Sequence, residues 1–188
     1  MKNKAIIIIV IVGILIAAIV ATVVVINLNS SKTIDSPVVK AINDNSNLPV
    51  KYMSARNGAN LNLSGYERLN NFMSVDYKNS SISFSYYGYP NDESDYYLGE
   101  VELLDNKFNI LGVTIGDDMN SAISKISKYG FKLDNENRNN NFVATLTNGD
   151  YTINLNADSR NYDGNESNPK ITSIKLKANS KYLGNRVY

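Results

Sequence analysis

The stretch FVATLTNGDYTINLNA, residues 142–157, decides how the second half of this 188-residue chain folds. Apolar and polar residues alternate on both sides of Asn148-Gly149, and this dipeptide is a strong signal for a two-residue hairpin turn. The stretch therefore predicts two antiparallel strands, near residues 141–147 and 150–156.

A third strand is predicted downstream, where PKITSIKLKA at residues 169–178 alternates in the same way. Ile174 and Leu176 fall on one face of that strand, so we expect them to point into the core. The loop between the second and third strands is polar and acidic.

A strand-to-helix transition is predicted upstream, in LGVTIGDDMNSAISKISKYGF at residues 111–131. Gly116 ends the alternation, Asp117 is placed to cap a helix, and the apolar residues up to Ile126 recur at helical spacing. Gly130 is placed to end the helix. Phosphate binding or a catalytic carboxylate pair would be the functional alternatives. The stretch lacks the glycines and lysine of a phosphate loop, and adjacent aspartates diverge by about 100° on a helix, so capping is favoured.

An internal similarity links two parts of the chain. Residues 81–104 and 152–176 follow one pattern, in which an alternating strand, an acidic loop and a second alternating strand succeed each other. We therefore predict two copies of one α+β unit, at residues 48–104 and 105–177, the first with a degenerate helix. Chance similarity is the alternative, because a chain rich in Asn, Ser and Tyr matches itself easily.

The segment GVTIGD at residues 112–117, the amphipathic helix after it, the closing Gly130 and the following strands resemble a known module. They are similar to the β-lactamase-inhibitor-protein-like α+β module and to the related small module of outer-membrane assembly lipoproteins. The resemblance implies a scaffold that binds other proteins through the open face of its sheet and has no catalytic residues. The chain has no Cys and no Trp, unlike that pattern, so inhibition of a β-lactamase is not carried over.

The N-terminal residues 5–26 are apolar and uncharged, and as a helix they are long enough for a hydrocarbon core of roughly 30 Å. They predict a transmembrane helix, with a cleaved signal peptide as the alternative. Lys2 and Lys4 precede the segment, so the positive-inside rule keeps the tail of residues 1–4 in the cytoplasm. We therefore expect a single-pass protein of the cell membrane whose remaining residues are extracellular.

The extracellular part divides by composition into three segments. Residues 27–47 predict a polar tether, with one short helix opened by Asp35 or Ser36. Residues 48–177 predict the extracellular α+β domain, and residues 178–188 a C-terminal tail. The fold class expected for the whole chain is α+β, as a transmembrane helix followed by a helix and antiparallel strands in two tandem copies.

Composition excludes several kinds of chemistry. The chain contains no His and no Cys, which removes His-dependent nucleophiles, ordinary zinc sites and disulfides, and we expect no catalytic residues, no metal and no cofactor. The net charge of +1 argues against nucleic acid as a partner. Two acidic loops, around residues 92–95 and 158–166, offer carboxylates to calcium, but solvated hairpin loops are favoured.

The best candidate for a binding site is the aromatic segment FSYYGYPNDESDYY, residues 84–97. If the strand alternates, Tyr87 and Tyr89 project from the face opposite the core, and Tyr96 and Tyr97 return on the neighbouring strand. Tyrosine suits recognition because it offers a large contact area with a polar tip. Packing within the sheet is the alternative, because tyrosine is also a favoured strand residue.

Together these features predict a membrane-anchored extracellular binding module that is not an enzyme. The expected partners are the membrane, through residues 5–26, and another protein of the cell envelope, with no nucleic acid and no small-molecule cofactor. The Asn, Ile, Lys and Tyr content is typical of AT-rich Gram-positive genomes. The alternatives are a passive structural envelope protein and a wall-glycan hydrolase with two carboxylates about 5 to 9.5 Å apart in a cleft.

Overall fold

The computed structural model describes residues 36–56, 65–71, 74–88, 96–134, 142–158 and 168–179. Along the chain, one helix precedes each of two groups of four strands. The helices are α1 (Pro37–Asn45) and α2 (Met119–Ser127). The strands are β1 (Glu67–Asn70), β2 (Ser74–Lys78), β3 (Ile82–Tyr87), β4 (Tyr97–Leu103), β5 (Lys132–Leu133), β6 (Val143–Thr147), β7 (Tyr151–Ala157) and β8 (Ile171–Ala178).

All eight strands form one antiparallel sheet in the order β1-β2-β3-β4-β8-β7-β6-β5. The first four strands follow each other as a meander, and so do the last four. The two meanders meet at the ladder between β4 and β8, and a helix precedes each of them in the chain. This ladder therefore joins the first half of the described chain to the second.

One face of the sheet carries the hydrophobic core. Alternate residues of β2, β3, β4, β6, β7 and β8 are buried on that face, as expected when successive side chains point to opposite sides. Val39 and Ile42 of α1 and Ala122 and Ile126 of α2 belong to the same buried cluster. The helices therefore cover one face and leave the other without a helical layer from the described residues.

Helix α1 begins where its sequence predicts. The Oγ of Ser36 accepts a hydrogen bond from the backbone N–H of Val39 at 3.1 Å, and Pro37 occupies the first helical position. The predicted short helix is confirmed. Val39 and Ile42 of this helix are buried, so α1 packs on the core although it lies within the predicted tether of residues 27–47.

Helix α2 lies in the predicted place, but its predicted cap is wrong. Asp118, not Asp117, is the N-cap residue, and its side chain makes no capping hydrogen bond. The Asp117 carboxylate instead accepts from the backbone N–H of Thr114 at 3.3 Å and pairs with Lys125 at 2.8 Å. Burial alone would raise the pKa of Asp117, but these hydrogen bonds outweigh it and hold the pKa below its ordinary value.

The hairpin between β6 and β7 is confirmed, with a turn one residue later than the dipeptide suggested. The backbone N–H of Asn148 donates to the carbonyl of Tyr151 at 3.2 Å, so Gly149 and Asp150 form the two-residue loop. Gly149 has φ +93°, a left-handed conformation that glycine adopts without a Cβ penalty. The Asn148 side-chain oxygen accepts from the N–H of Tyr151 at 3.0 Å and closes the turn.

The predicted fold class is wrong. The described residues form mainly an eight-stranded antiparallel sheet with two helices of nine residues each, not an α+β domain. No helix in this part of the chain is long and apolar enough to cross a membrane. Helix signals such as caps are conspicuous in a sequence, whereas β1 and β5 are short and lack apolar alternation, which explains the error.

The predicted segments 1–4 and 5–26 lie outside the described residues, as do the first part of the tether and most of the tail of residues 178–188. Cytoplasmic, membrane and extracellular placement therefore stay predictions. The two copies at residues 48–104 and 105–177 also stay a prediction.

Candidate binding surface

The face of the sheet opposite the core is polar, and we refer to it as the open face. Its side chains stand in two rows that cross six strands in register. The rows follow from the period of two along each strand, because the residues between the buried ones must point away from the core. One row is Asp76, Ser85, Glu100, Lys177, Thr152 and Thr147, and the other is Lys78, Ser83, Glu102, Lys175, Asn154 and Thr145.

Five side chains form a charged group at the middle of the open face, which we name the central cluster: Tyr87, Glu100, Glu102, Lys175 and Lys177. The Lys175 ammonium lies 3.2 Å from the Glu100 carboxylate and 3.4 Å from that of Glu102. Lys177 lies 3.7 Å from Glu100, and the Tyr87 hydroxyl donates to Glu100 at 3.3 Å. The central cluster spans the β4–β8 ladder and so contains residues of both halves.

The electrostatic environment of the central cluster is set by partial burial. Burial raises the pKa of Tyr87 to about 12, and the negative charge of Glu100 adds to that increase. Burial alone would lower the pKa of Lys175, but the Glu100 and Glu102 carboxylates outweigh it and raise that pKa above its ordinary value. At neutral pH Tyr87 is therefore a neutral donor and Lys175 a cation.

Outside the central cluster, the open face of β6, β7 and β8 is largely uncharged. The Thr145 hydroxyl donates to the Asn154 side-chain oxygen at 2.9 Å, and the Asn156 side-chain nitrogen donates to the Ser173 hydroxyl at 3.0 Å. These hydroxyl and amide groups pair with each other across neighbouring strands. The open face therefore combines a charged centre with a neutral polar flank.

The predicted tyrosine group is divided by the sheet. Tyr87 and Tyr97 stand opposite each other on β3 and β4, whereas Tyr96 belongs to the core, and Tyr89 lies outside the described residues. Tyr96 and Tyr97 are each only 3% exposed, and only Tyr87 is half-buried. Two neighbouring residues of a strand point to opposite faces, so Tyr96 and Tyr97 cannot share one surface. Recognition by this group stays a prediction, and Tyr87 is its only described member with accessible area.

Four members of the central cluster, the two glutamates and the two lysines, were not predicted as site residues. A signal was present, because Glu100 and Glu102 alternate with apolar residues in one strand, and Lys175 and Lys177 do so in another. Charged residues of opposite sign at the same period are typical of facing strands. What the pattern lacks is any indication that these two strands are neighbours.

The geometry offers little for chemistry. Glu100 and Glu102 share Lys175 on a sheet face, and the described residues contain no group of three or more side chains suited to a metal. Of the acidic loop residues considered for calcium, Asp158 alone lies within the described residues. A cleft of about 130 Å³ lies beside α1, below the roughly 300 to 1,000 Å³ of typical ligand pockets. Its lining is Asn43, Ser46, Leu48, Pro49, Val50 and Lys51.

No protein-family model, curated protein or solved structure matches this chain. The resemblance to the β-lactamase-inhibitor-protein-like module therefore stays a prediction.

Proposed function

We propose that the folded part of this chain is a non-catalytic binding module that holds another protein on its open face. The observation that carries the proposal is the central cluster, a partly exposed group of two acids, two lysines and one tyrosine in the middle of the sheet. In this proposal the partner is a protein of the cell envelope, and residues 5–26 attach the module to the membrane.

The support for a protein partner is the mixture of charges at fixed positions. Glu100 is 18% exposed and Lys177 is 51% exposed, so charges of both signs reach the surface within two neighbouring strands. Such a pattern favours a partner with the complementary pattern and penalises one with like charges in register. Tyr87 adds a large side chain of the type enriched at the centre of protein interfaces.

The rigidity of the sheet also supports the proposal. The ladders on both sides of β3, β4, β7 and β8 pair their backbone groups, so the open face cannot shift without breaking hydrogen bonds. A rigid surface loses little conformational entropy on binding. The side chains of the central cluster are further restrained by their own ion pairs.

A wall-glycan hydrolase is less well supported. Its two carboxylates must stand in a cleft with space for a sugar and, in the inverting case, for a water molecule. Glu100 and Glu102 are two residues apart on β4, but both are held by Lys175 on a sheet surface. We therefore propose binding without catalysis.

Site-specific photo-crosslinking in native membranes tests the proposal. A photoreactive phenylalanine analogue replaces Tyr87 in one chain and Tyr129 in a control chain. The control is matched because Tyr129 is also a half-buried tyrosine, but it follows α2 on the helical side of the sheet. A discrete protein adduct from position 87 and none from position 129 is the expected result.

Charge reversal then ties the adduct to the central cluster. Lys177→Glu replaces a half-exposed lysine of the open face, and Lys107→Glu makes the same change in a loop after β4, where the side chain is 68% exposed. We expect at least a tenfold loss of adduct with Lys177→Glu and no loss with Lys107→Glu. Absence of any adduct from position 87 in folded chain would contradict the proposal and favour the passive structural alternative.

A further inference from the structure

The β2–β3 turn and the β6–β7 turn have the same structure. In the first, the Asn79 side-chain oxygen accepts from the backbone N–H groups two and three residues later, at 2.8 and 3.0 Å. In the second, the Asn148 side-chain oxygen accepts from the groups at the same two positions, at 3.3 and 3.0 Å. In both turns the backbone N–H of the asparagine donates to the carbonyl three residues later. Strands β2 and β3 therefore correspond in position to β6 and β7.

The correspondence extends to β4 and β8. The first strand residue after each turn pairs with Leu103 of β4 in one meander and with Ala178 of β8 in the other. Two residues earlier, Val101 corresponds to Leu176, and both are buried. Val101 and Leu176 also stand directly opposite each other in the β4–β8 ladder. An approximate two-fold axis, perpendicular to the sheet, therefore passes through this pair and relates the two meanders.

The charges of the central cluster are reversed between corresponding positions. One residue before the axis, β4 has Glu100 where β8 has Lys175. One residue after the axis, β4 has Glu102 where β8 has Lys177. Because the strands are antiparallel, Glu100 stands opposite Lys177 and Glu102 stands opposite Lys175. Each acid of β4 therefore faces a lysine of β8 across the ladder.

A ladder between two identical strands would lack this complementarity. About the same axis, β4 paired with β4 of a second copy would place Glu100 opposite Glu102. In the same way, β8 paired with a second β8 would place Lys175 opposite Lys177. Like charges directly opposite each other are destabilising, whereas opposite charges stabilise a pair of strands. The core face cannot make this distinction, because both strands are apolar at their buried positions.

We propose that the central cluster selects β8 as the neighbour of β4, so that the first half of the chain pairs with the second half and not with its own copy. The strand that β4 accepts is one with lysines two residues apart on the open face. The Lys175 ammonium contacts both carboxylates, and Lys177 contacts Glu100, so the charges that make the selection are in contact. This role goes beyond the proposed function, because it concerns the assembly of the sheet.

Exchange of charges in the full chain tests the selection. One variant, Glu100→Lys with Glu102→Lys, leaves only cations at the four positions, and a second, Lys175→Glu with Lys177→Glu, leaves only acids. A third variant carries all four changes and restores opposite charges across the ladder. In urea unfolding followed by circular dichroism, the folding equilibrium constant should fall at least about tenfold in the first two variants. In the third it should stay within about threefold of the unmodified chain.

A fourth variant separates the ladder from net charge. It combines Glu100→Lys and Glu102→Lys with Lys51→Glu and Lys107→Glu, which change two exposed lysines outside the strands. Its net charge equals that of the third variant, but like charges remain across the ladder, so stability should not return. Added salt should reduce the losses in the first two variants, because salt screens partly exposed charges.

The opposite results would overturn the proposal. They are a third variant as unstable as the first two, full stability of either of the first two, recovery in the fourth variant, or losses that salt does not change. If a like-charged variant does not fold at all, the third variant still decides, because the proposal requires it to fold.

The third variant also separates this role from binding on the open face. It keeps complementary charges in the ladder but exchanges the acids and lysines that a partner would meet. Photo-crosslinking from position 87 in this variant should therefore give no adduct, although the chain is stable. Failure of its stability to recover overturns the selection of β8, whereas an adduct that persists in the stable variant contradicts recognition of the charge pattern by a partner.

Discussion

The contact between Gly88 and Tyr96 leads to a prediction whose size follows from the structure. A Cβ atom placed on Gly88 would lie 2.3 Å from Cδ1 of Tyr96, 2.8 Å from Cε1 and 2.9 Å from Cγ. Tyr96 is 3% exposed and packs in the core, so its ring has little space to move. The backbone of Gly88 is not left-handed, so the obstacle to alanine is the ring and not the backbone conformation.

The magnitude can be estimated from the two contributions. Overpacking of a filled core costs about 1 to 3 kcal/mol, and this is the expected loss of unfolding free energy for Gly88→Ala. Truncation of a large buried aromatic side chain costs about 3 to 5 kcal/mol, which is the expectation for Tyr96→Ala. In a chain that carries Tyr96→Ala, the ring is gone, so Gly88→Ala should cost nothing or stabilise by about 0.4 to 1 kcal/mol.

A double-mutant cycle measures this coupling. Urea unfolding of the full chain, followed by far-ultraviolet circular dichroism, gives the unfolding free energy of the four chains. The two changes should be coupled by about 1 to 3 kcal/mol, with the double mutant more stable than the sum of the single changes predicts. Equal costs for Gly88→Ala with and without Tyr96 would refute the packing argument.

Changes at four further positions have defined outcomes. Ser36→Ala should lower the unfolding free energy by about 1 kcal/mol, because it removes the cap of α1, whereas Ser36→Asp should retain it; urea unfolding checks both. Gly112→Ala should lower the unfolding free energy by about 1 to 2 kcal/mol, because φ at this position is +74°. No atom lies within 4 Å of the new Cβ, so substitutions of neighbouring residues should not change this cost. Because the pKa of Tyr87 is about 12 when folded and about 10 when unfolded, stability should fall as pH rises from about 10 to 12, and Tyr87→Phe should reduce that fall. Glu100→Gln should lower the Tyr87 pKa only in part, because burial is its main cause; ultraviolet titration of tyrosine ionisation would contradict this if the pKa stayed unchanged.

The parts of the fold that were predicted correctly depend on residues close together in the chain. Ser36 and Pro37 begin α1, and Asn148 and Gly149 lie at the β6–β7 turn, because caps and tight turns are made by neighbouring backbone groups. The core positions of β8, including Ile174 and Leu176, followed from alternation alone. The predictions of the Asp117 cap and of the fold class were wrong because the local sequence pattern was compatible with more than one structure.

The candidate site shows the same division. Tyr87 was identified because alternation along β3 places it opposite the core. Tyr96 could not be placed, because its burial depends on the approach of Gly88, a residue of another strand end. The lysines of the central cluster were overlooked, because alternating charges along one strand do not indicate a site until the neighbouring strand is known.

By itself the sequence determined the local elements of this protein, namely the cap of α1, the helix near residues 119–127, the β6–β7 hairpin and the buried face of β8. Only the tertiary structure decided that β4 pairs with β8, that the sheet has eight strands, and that Glu100 and Lys175 meet on its open face. The physical reason is the separation along the chain of the residues that interact. Caps, turns and periodic burial depend on interactions between residues close together in the chain. Strand order depends on the burial of one shared core, which brings together residues more than seventy positions apart.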